Sequence, residues 1–505
     1  MFSKIDGSKS CGPNSIPSNL LKEHAKAFFS PVKEMINSSF VEGTFPSILK
    51  IAQVCTVFKK GELDLRENYR PISLLSNLSK LFERAMHSRV YNFLESSGLI
   101  FDLQFGFRKK HSTSHALLSI LDEIRQNLDK NTFSCGVFVD LEKAFDTVNH
   151  NILLKKLEHY GIRNIANRWF ESYLSDRKQF VSLGGTNSNN LPITCGVPQG
   201  SILGPLLFII YINDMHNAIN FSKVHHFADD TNLLFSHKNL KVLRKRVNSD
   251  LVLLFDWLCA NRLSLNVGKT EFVIFRPARS KRLDRVTLKI NRCKIFESNK
   301  IKYLGMILDS NLSWKHHTFE LNKKLFRGVG MINKIRNLSD ASVLKSIYFS
   351  LFQSHATYGL VAWGSSRKCL DRVYLSQKRA IRAILGLGFN DSTSASFKSL
   401  RILKIFDLYK VQCASLMWDF DHGSLPDAFL GFFTKTSDIH SYNTRSSASN
   451  KLAKNVSVKT THGKKLFKIT GVDIFNEINN LPFYKSSRTR HNFLKQYKNY
   501  LIDQY

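Results

Sequence analysis

The sequence predicts an α+β fold in which a β-sheet is backed by helices, and three observations carry that expectation. Of 505 residues, 43% are hydrophobic and 12% aromatic, 39 of them Phe, enough for a sizeable core and roughly two to four domains. Residues 133–140, FSCGVFVD, form a β-prone run that ends in an acid. Residues 223–235, KVHHFADDTNLLF, set two strand-like runs on either side of an Asp–Asp pair, and helical stretches surround both segments.

Taken in order, NLLKEHAKAFFSPVKEMINSSF (19–40) and NLSKLFERAMHSRVYNFLESSG (77–98) read as helices, the second stopping on Gly98. The strand at 133–140 follows. DTVNHNILLKKLEHYG (146–161) reads as an amphipathic helix with a Gly stop, and Asp146 is the expected cap. KQFVSLGGTNSNNLPITCG (178–196) reads as a hairpin with a polar turn, and SILGPLLFIIYINDM (201–215) as a buried helix. The Asp–Asp hairpin comes next, then a helix through LVLLFDWLCANRL and strand pieces EFVIF (271–275) and KIKYLGMIL (300–308). From about 315 the pattern is helical: Leu321, Leu325, Ile332 and Ile335 share a face, with Lys323, Lys324, Arg327, Lys334 and Arg336 off it. Further helices are expected over 340–362 and 373–386. The polar region 435–470 carries seven basic residues between His440 and Lys468 and no acid, the pattern of a flexible, solvated basic loop.

Charge narrows the function. The 73 Lys and Arg against 40 Asp and Glu give +33, which implies a polyanionic partner: nucleic acid first, an anionic membrane surface second. No apolar stretch is long enough to span a bilayer, and MFSKIDGSKSCGPNS lacks the apolar core of a secretory signal. The eight Cys (11, 55, 135, 195, 259, 293, 369, 413) contain no C-x-x-C pair, which excludes a zinc knuckle. They read as reduced thiols of an intracellular protein, mostly small core residues.

The Asp–Asp pair, taken alone, is best explained as a turn tip, because Asp tolerates turn conformations. The alternative is a divalent metal, since two adjacent carboxylates raise each other's pKa unless a cation neutralises them. Such a site needs a further acid. Asp140, in CGVFVDLEKAFD, ends a strand as a ligand at a strand tip should, whereas Glu142 reads as solvated. A strand-end acid with an Asp–Asp hairpin suits two-metal phosphoryl transfer, in which two Mg²⁺ sit about 3.5–4 Å apart.

These motifs together resemble a known family. VDLEKAFD, then CGVPQGSILGPLLFIIYIND, then FADD look like the reverse transcriptase of LINE-type (non-LTR) retrotransposons, jockey/CR1-like. KSCGPNSIPSNLL, GTFPSILKIAQVCTVFKKGE, NYRPISLLSNLSKLFE and QFGFRKKHST extend the resemblance upstream. LSLNVGKTEF, IKYLGMILD, YGLVAWG, LSQKRAIR and HSYNTR extend it downstream, so it covers nearly the whole chain.

The resemblance implies a role for each matching residue. Asp140, Asp229 and Asp230 would hold two Mg²⁺, with Mn²⁺ as the alternative ion, and the Leu141 carbonyl would complete one coordination sphere. Phe145 matches the steric gate that excludes a 2′-hydroxyl. Pro198, Gln199 and Gly200 match the loop beside the incoming nucleotide, where Gln offers amide donors and acceptors and Gly lets backbone approach. Lys59 or Lys60, with Arg70, would grip the triphosphate. Lys269 matches a general acid to departing pyrophosphate, for which a solvated Lys is the competing explanation. Tyr303, Leu304 and Gly305 match the primer-grip hairpin, and Arg108 a contact to template or phosphate.

The implied whole is a right-hand polymerase with fingers over 1–135, palm over 136–310, thumb over 311–390 and a helical, basic C-terminal region over 391–505. Its partners would be an RNA template, a DNA primer or target and dNTPs, with no membrane, in nucleus and cytoplasm. Phe227, where retroviral enzymes have Tyr, favours the LINE-type group. The upstream endonuclease of full-length elements is expected to be missing, and no RNase H signature is found. The rivals are a catalytically decayed nucleic-acid-binding remnant, an RNA-templated RNA polymerase, against which Phe145 speaks, and a group II intron-type maturase, against which YGLVAWG and HSYNTR speak.

Overall fold

Two sheets and two apolar cores organise the chain, in a computed structural model that describes residues 5–7, 10–13, 15–277, 285–439, 451–454 and 456–505. Helices α1 (Ser18–Glu23) and α2 (Ala25–Glu42) lead into antiparallel strands β1 (Ile51–Phe58) and β2 (Tyr69–Leu74). Next come α3 (Asn77–Ser96), α4 (Thr113–Asp129), β3 (Phe133–Val139), α5 (His150–His159) and α6 (Asn164–Leu174). Short strands β4 (Lys178–Leu183), β5 (Thr186–Asn187) and β6 (Leu191–Pro192) then precede α7 (Gly204–Ile212), β7 (Lys223–Phe227), β8 (Asp230–His237), α8 (Leu240–Ala260) and β9 (Glu271–Phe275).

The expected hairpin at 178–196 is present, and its first strand, β4, also pairs with β1 in parallel, Ile51 opposite Lys178, within an outer sheet. The central sheet is antiparallel, in the order β7-β8-β3-β9. Every residue of β3 is buried, because both faces of the sheet are covered. Alternation divides the side chains. Cys135, Val137, Val139, Leu233, Phe235, Phe272 and Ile274 join a core with α3 and α5–α8. Phe138, Leu234, Val273 and Phe275 join a second core with α4 and the helices that follow the sheet.

Hairpins β10 (Thr287–Ile290)–β11 (Cys293–Phe296) and β12 (Lys300–Tyr303)–β13 (Met306–Asp309) lead to helices α9 (Lys315–Ile335), α10 (Ala341–Ile347), α11 (Ser354–Thr357), α12 (Leu360–Trp363), α13 (Arg367–Leu385), α14 (Ser394–Ser399) and α15 (Ile405–Asp421). On α9, Leu321, Leu325 and Ile332 are buried as their spacing predicts. The expected helix over 340–362 is interrupted by a π-helical turn at Tyr348–Gln353 and a break at Gly359. Helices Phe467–Ile478, Pro482–Ser486 and Arg490–Asp503 close the chain.

Several expectations are corrected. Helix α5 starts at His150, and its cap is Asn149, whose Oδ1 accepts the Ile152 amide at 3.1 Å; Asp146 lies too early to reach that amide. All eight cysteines are free, but only Cys135, Cys369 and Cys413 are buried, while Cys195, Cys259 and Cys293 are exposed. Around 435–470 the described residues are docked through their main chain and a few apolar side chains, while lysines such as Lys454, Lys459 and Lys464 stay exposed. Thr434–Lys435 pairs with Leu452–Ala453, and α4 grips the chain beyond. Asp129 accepts from the amides of Lys459 (3.0 Å) and Thr460 (2.7 Å). Arg125 donates to the carbonyls of Lys465 (2.9 Å) and Ala362 (2.7 Å), and Asp122 accepts the Phe467 amide at 2.9 Å. The HSYNTR stretch, 440–445, lies outside the described residues. Among them, no helix is long and apolar enough to cross a membrane.

Candidate active site

The β7–β8 hairpin closes with Phe227 opposite Asp230, leaving Ala228 and Asp229 as its tip. Ala228 has φ +57°, a left-handed conformation that a residue with a Cβ adopts only when its surroundings hold it there. The QFGF stretch supplies that hold. Phe105 N donates to the His226 carbonyl at 2.8 Å and His226 N to the Leu103 carbonyl at 2.9 Å. Gln104 Oε1 accepts the amides of Ala228 (3.0 Å) and Gly106 (2.8 Å). A Cβ on Gly106 would stand 2.3 Å from the Ala228 nitrogen, so glycine alone permits this approach. Gln104 and Gly106 are site residues that the sequence reading quotes within a motif without giving them a role. Their signal is a polar, hydrogen-bonding residue and a glycine inside an apolar run.

The same alternation that splits the cores places the acids. Val139 stands opposite Thr231, so Asp140 is level with Asp230, and both lie on the face that carries Phe138 and Leu234. There they line a cleft of about 270 Å³ together with Lys269, Glu271 and the β12–β13 turn, Tyr303, Leu304 and Gly305. That turn is left-handed at Leu304 (φ +43°) and Gly305 (φ +75°), and Tyr358 fixes it by donating its hydroxyl to the Leu304 carbonyl at 2.8 Å. Tyr303 is buried with its hydroxyl unpartnered, and burial together with the charge on Asp230 raises its pKa.

Desolvation at the hairpin tip and the charge of Asp140 raise the Asp229 pKa, against the pull of Arg70 and Lys59. Asp230 is pushed up to about 6 by desolvation, then by Asp229 and Asp140. Lys269 stands 3.9 Å from Asp140 with both side chains well exposed, a pair worth little by itself. Among the described residues, no three acid, His or Cys side chains close a coordination shell as they lie. The donor set is nevertheless all hard carboxylate oxygen, and its mutual repulsion is the kind a divalent cation relieves; this fits Mg²⁺ or Mn²⁺ rather than zinc. Leu141 bridges Leu265 through the Asp140 carbonyl and the Glu142 amide, so the Leu141 carbonyl is directed away from that strand.

On the other side of the tip, Arg70 stands opposite Val57 across the β1–β2 hairpin, and the Lys59 amide donates to the Asn68 carbonyl at 2.7 Å. The charge of Lys59, with that of Arg70, pulls the Asp229 pKa down. The 198–200 loop is tied to the same hairpin. Ser73 N donates to the Gln199 carbonyl at 2.7 Å, and Gly200, at φ +132°, leaves no room for a Cβ, which would lie 2.4 Å from the Ser73 oxygen. Pro198 accepts from Ser201, and Gln199 Nε2 donates to Asp146 at 2.9 Å, the bond Asp146 makes in place of a helix cap. Buried Glu83, which the sequence reading missed, anchors the loop's far end by accepting the Ile202 amide at 2.6 Å. Phe145 stacks on Phe208 with centroids 4.5 Å apart, meets Phe107 edge-on at 6.3 Å, and accepts the Val197 amide at 2.9 Å.

Arg108 is corrected. It is 9% exposed, with Nε and Nη2 donating to Glu95 at 2.9 and 2.8 Å and Nη1 donating to the Phe101 carbonyl at 3.0 Å. Its fork is filled by the protein itself and is not presented to template or phosphate.

Residues 57–308 match the family model described as reverse transcriptase (RNA-dependent DNA polymerase). The probable RNA-directed DNA polymerase from transposon BS of Drosophila melanogaster is 30% identical over 360 residues, 67% of this chain and 39% of that protein. The RNA-directed DNA polymerase from mobile element jockey of the same organism is 28% identical over 400 residues, 77% of this chain and 43% of that protein. A solved telomerase from Candida albicans superposes with TM-score 0.37 at 13% identity, covering 78% of this chain and 66% of that one. The chain spans about two fifths of the length of the curated relatives it matches.

Proposed function

We infer that this chain, which belongs to the reverse transcriptase family and within it to the relatives of jockey-type non-LTR elements, extends a DNA 3′ end with deoxynucleotides on an RNA template. The observation that carries the reading is the level placement of Asp140 and Asp230 on one face of the sheet, with Asp229 at the hairpin tip within reach of the charges of Lys59 and Arg70. Asp140, Asp229, Asp230 and the Leu141 carbonyl would hold two Mg²⁺ ions, whose charge would stabilise the attacking and leaving oxygens.

The chain's own residues do the positioning, which is most of the catalysis in phosphoryl transfer. Lys59 and Arg70 bind the triphosphate, with Lys60 beside them. Phe145, backed by Phe208, closes over the sugar and excludes a 2′-hydroxyl. Pro198, Gln199 and Gly200 face the base pair that forms, and a dNTP would draw Gln199 from Asp146. Tyr303, Leu304 and Gly305 hold the primer end against the cleft. Lys269 holds a proton for the departing pyrophosphate. In this reading, fingers, palm and thumb fall at 1–135, 136–310 and 311–390, and the enzyme meets its RNA and DNA in the nucleus and cytoplasm.

The test is extension of a DNA primer on an RNA template by the purified chain beside Asp140→Asn, which keeps the shape and removes one charge. Wild type should extend with Mg²⁺ and the variant should not. Substantial residual synthesis by the variant would overturn the assignment of the acids.

A further inference from the structure

A second polar cavity, of about 600 Å³, lies between the start of α4 and the C-terminal helices, and none of the residues assigned above lines it. Lys110, Ser112, Ser114 and His115 meet Asp419 and Arg490 across it. Ser112 caps α4, its side chain accepting the His115 amide at 3.3 Å, and the first intrahelical bond runs from Ala116 to Ser112. The amides of Thr113 and Ser114 precede that bond, so the positive end of a 17-residue helix opens toward the cavity.

His115 is the independent sign of a ligand. It is 7% exposed, it lines the cavity, and neither ring nitrogen has a hydrogen-bond partner. A buried imidazole in that state is unfavourable unless something meets it. Burial, reinforced by His111 and Arg490, lowers its pKa to about 4, so near neutral pH it carries one donor and one acceptor.

The rim is built as firmly as the active site. Lys110 is exposed, and its backbone is left-handed at φ +61°. Arg108, bound to Glu95 and the Phe101 carbonyl, and the Tyr91 hydroxyl, which accepts the Lys109 amide at 2.8 Å, hold this loop in place. Asp419 pairs with Arg490 at 2.6 Å and also feels the charge of Lys110, so with Lys110, Arg490 and the helix end against one carboxylate the lining is net positive.

We propose that this cavity is a second nucleic-acid contact, taking one phosphodiester group through Lys110, the first amides of α4 and His115. Amide, ammonium and imidazole donors around a helix N-terminus suit a phosphate, and a chain at +33 selects nucleic acid as its source. The proposal rests on the reading that nucleic acid is the substrate.

The test is fluorescence-anisotropy titration of the full chain with a single-stranded RNA and with a DNA primer annealed to RNA, across a salt series. Lys110→Asn tolerates the left-handed backbone, and His115→Leu probes the cavity without changing net charge. Each should weaken binding about five- to tenfold, and Lys110→Asn should lower the salt slope by about 1. Extension at saturating template should stay near wild type for both. A deficit with RNA alone assigns the phosphate to the template, and one confined to the hybrid assigns it to the primer strand. Unchanged affinity and slope in both folded variants would overturn the cavity's role while wild-type extension upholds the polymerase. A wild type that neither binds nor extends overturns both.

Discussion

At the Asp230 carboxyl, function and stability pull in opposite directions. Its pKa of about 6 lies above the ordinary value of about 3.9. The folded chain therefore binds more protons than the unfolded one between roughly pH 4 and 6, and this group's contribution to stability falls as pH rises through that window. Asp230→Asn should raise the Tm at pH 7.5 without divalent ions and flatten the Tm between pH 4 and 6. Primer extension should fall about a thousandfold, since several kcal/mol of metal-supplied stabilisation are at stake. A lower Tm in differential scanning fluorimetry would mean that the carboxylate is structural. Mg²⁺ should also raise the wild-type Tm, by mass action on the folded state, and raise the variant's less. At Phe145, replacement by Val removes the ring that stacks on Phe208 and should narrow the preference for dNTPs over NTPs by about ten- to a hundredfold. Unchanged selectivity in single-nucleotide incorporation would leave Phe145 a packing residue.

At the scale of elements, the Asp229 hairpin tip depends on a loop more than a hundred residues upstream. Gly106→Ala places a methyl group against the Ala228 amide, so the tip must shift. Overpacking of this kind costs about 1–3 kcal/mol, and the shift should lower kcat with little change in RNA affinity; a loss confined to affinity would contradict the coupling. This dependence marks the boundary of what was legible in the sequence. The strands ending at Asp140 and bracketing Asp229–Asp230 were readable because alternation and turn chemistry are local. The Gln104–Ala228 bond was not, because it joins positions 124 apart and no periodicity reports it. Asp146 looked like a helix cap for a similar reason: its true partner, Gln199, is 53 residues away. Arg108 looked like a phosphate ligand because a sequence shows a cation without showing Glu95 already on it.

Across the whole molecule, the second core runs from α4 and one face of the central sheet to Leu501 and Ile502, so the C-terminal helices stabilise the same body that carries the acids. Asp122→Ala would leave Arg125 buried without its carboxylate, 3.8 Å away, and the Phe467 amide unmet. Breaking such a group costs about 3–5 kcal/mol, and limited proteolysis should then release the C-terminal helices before the sheet; an unchanged cleavage pattern would show that the apolar core alone holds them. The polar sequence of 451–468 hid this attachment. What α4 recognises there is mostly main chain, the amides at 459, 460, 467 and 468 and the carbonyl at 465, together with the Thr460 hydroxyl, which donates to Asp129 at 2.7 Å. A clasp that reads mostly backbone constrains few side chains of the segment, here Thr460 and Gly463, where a Cβ would lie 2.4 Å from Asp129. Over evolutionary time the clasped segment is therefore free to diverge in sequence wherever its side chains face outward, while Asp122, Arg125 and Asp129 on the helix, and Thr460 and Gly463 on the segment, are not.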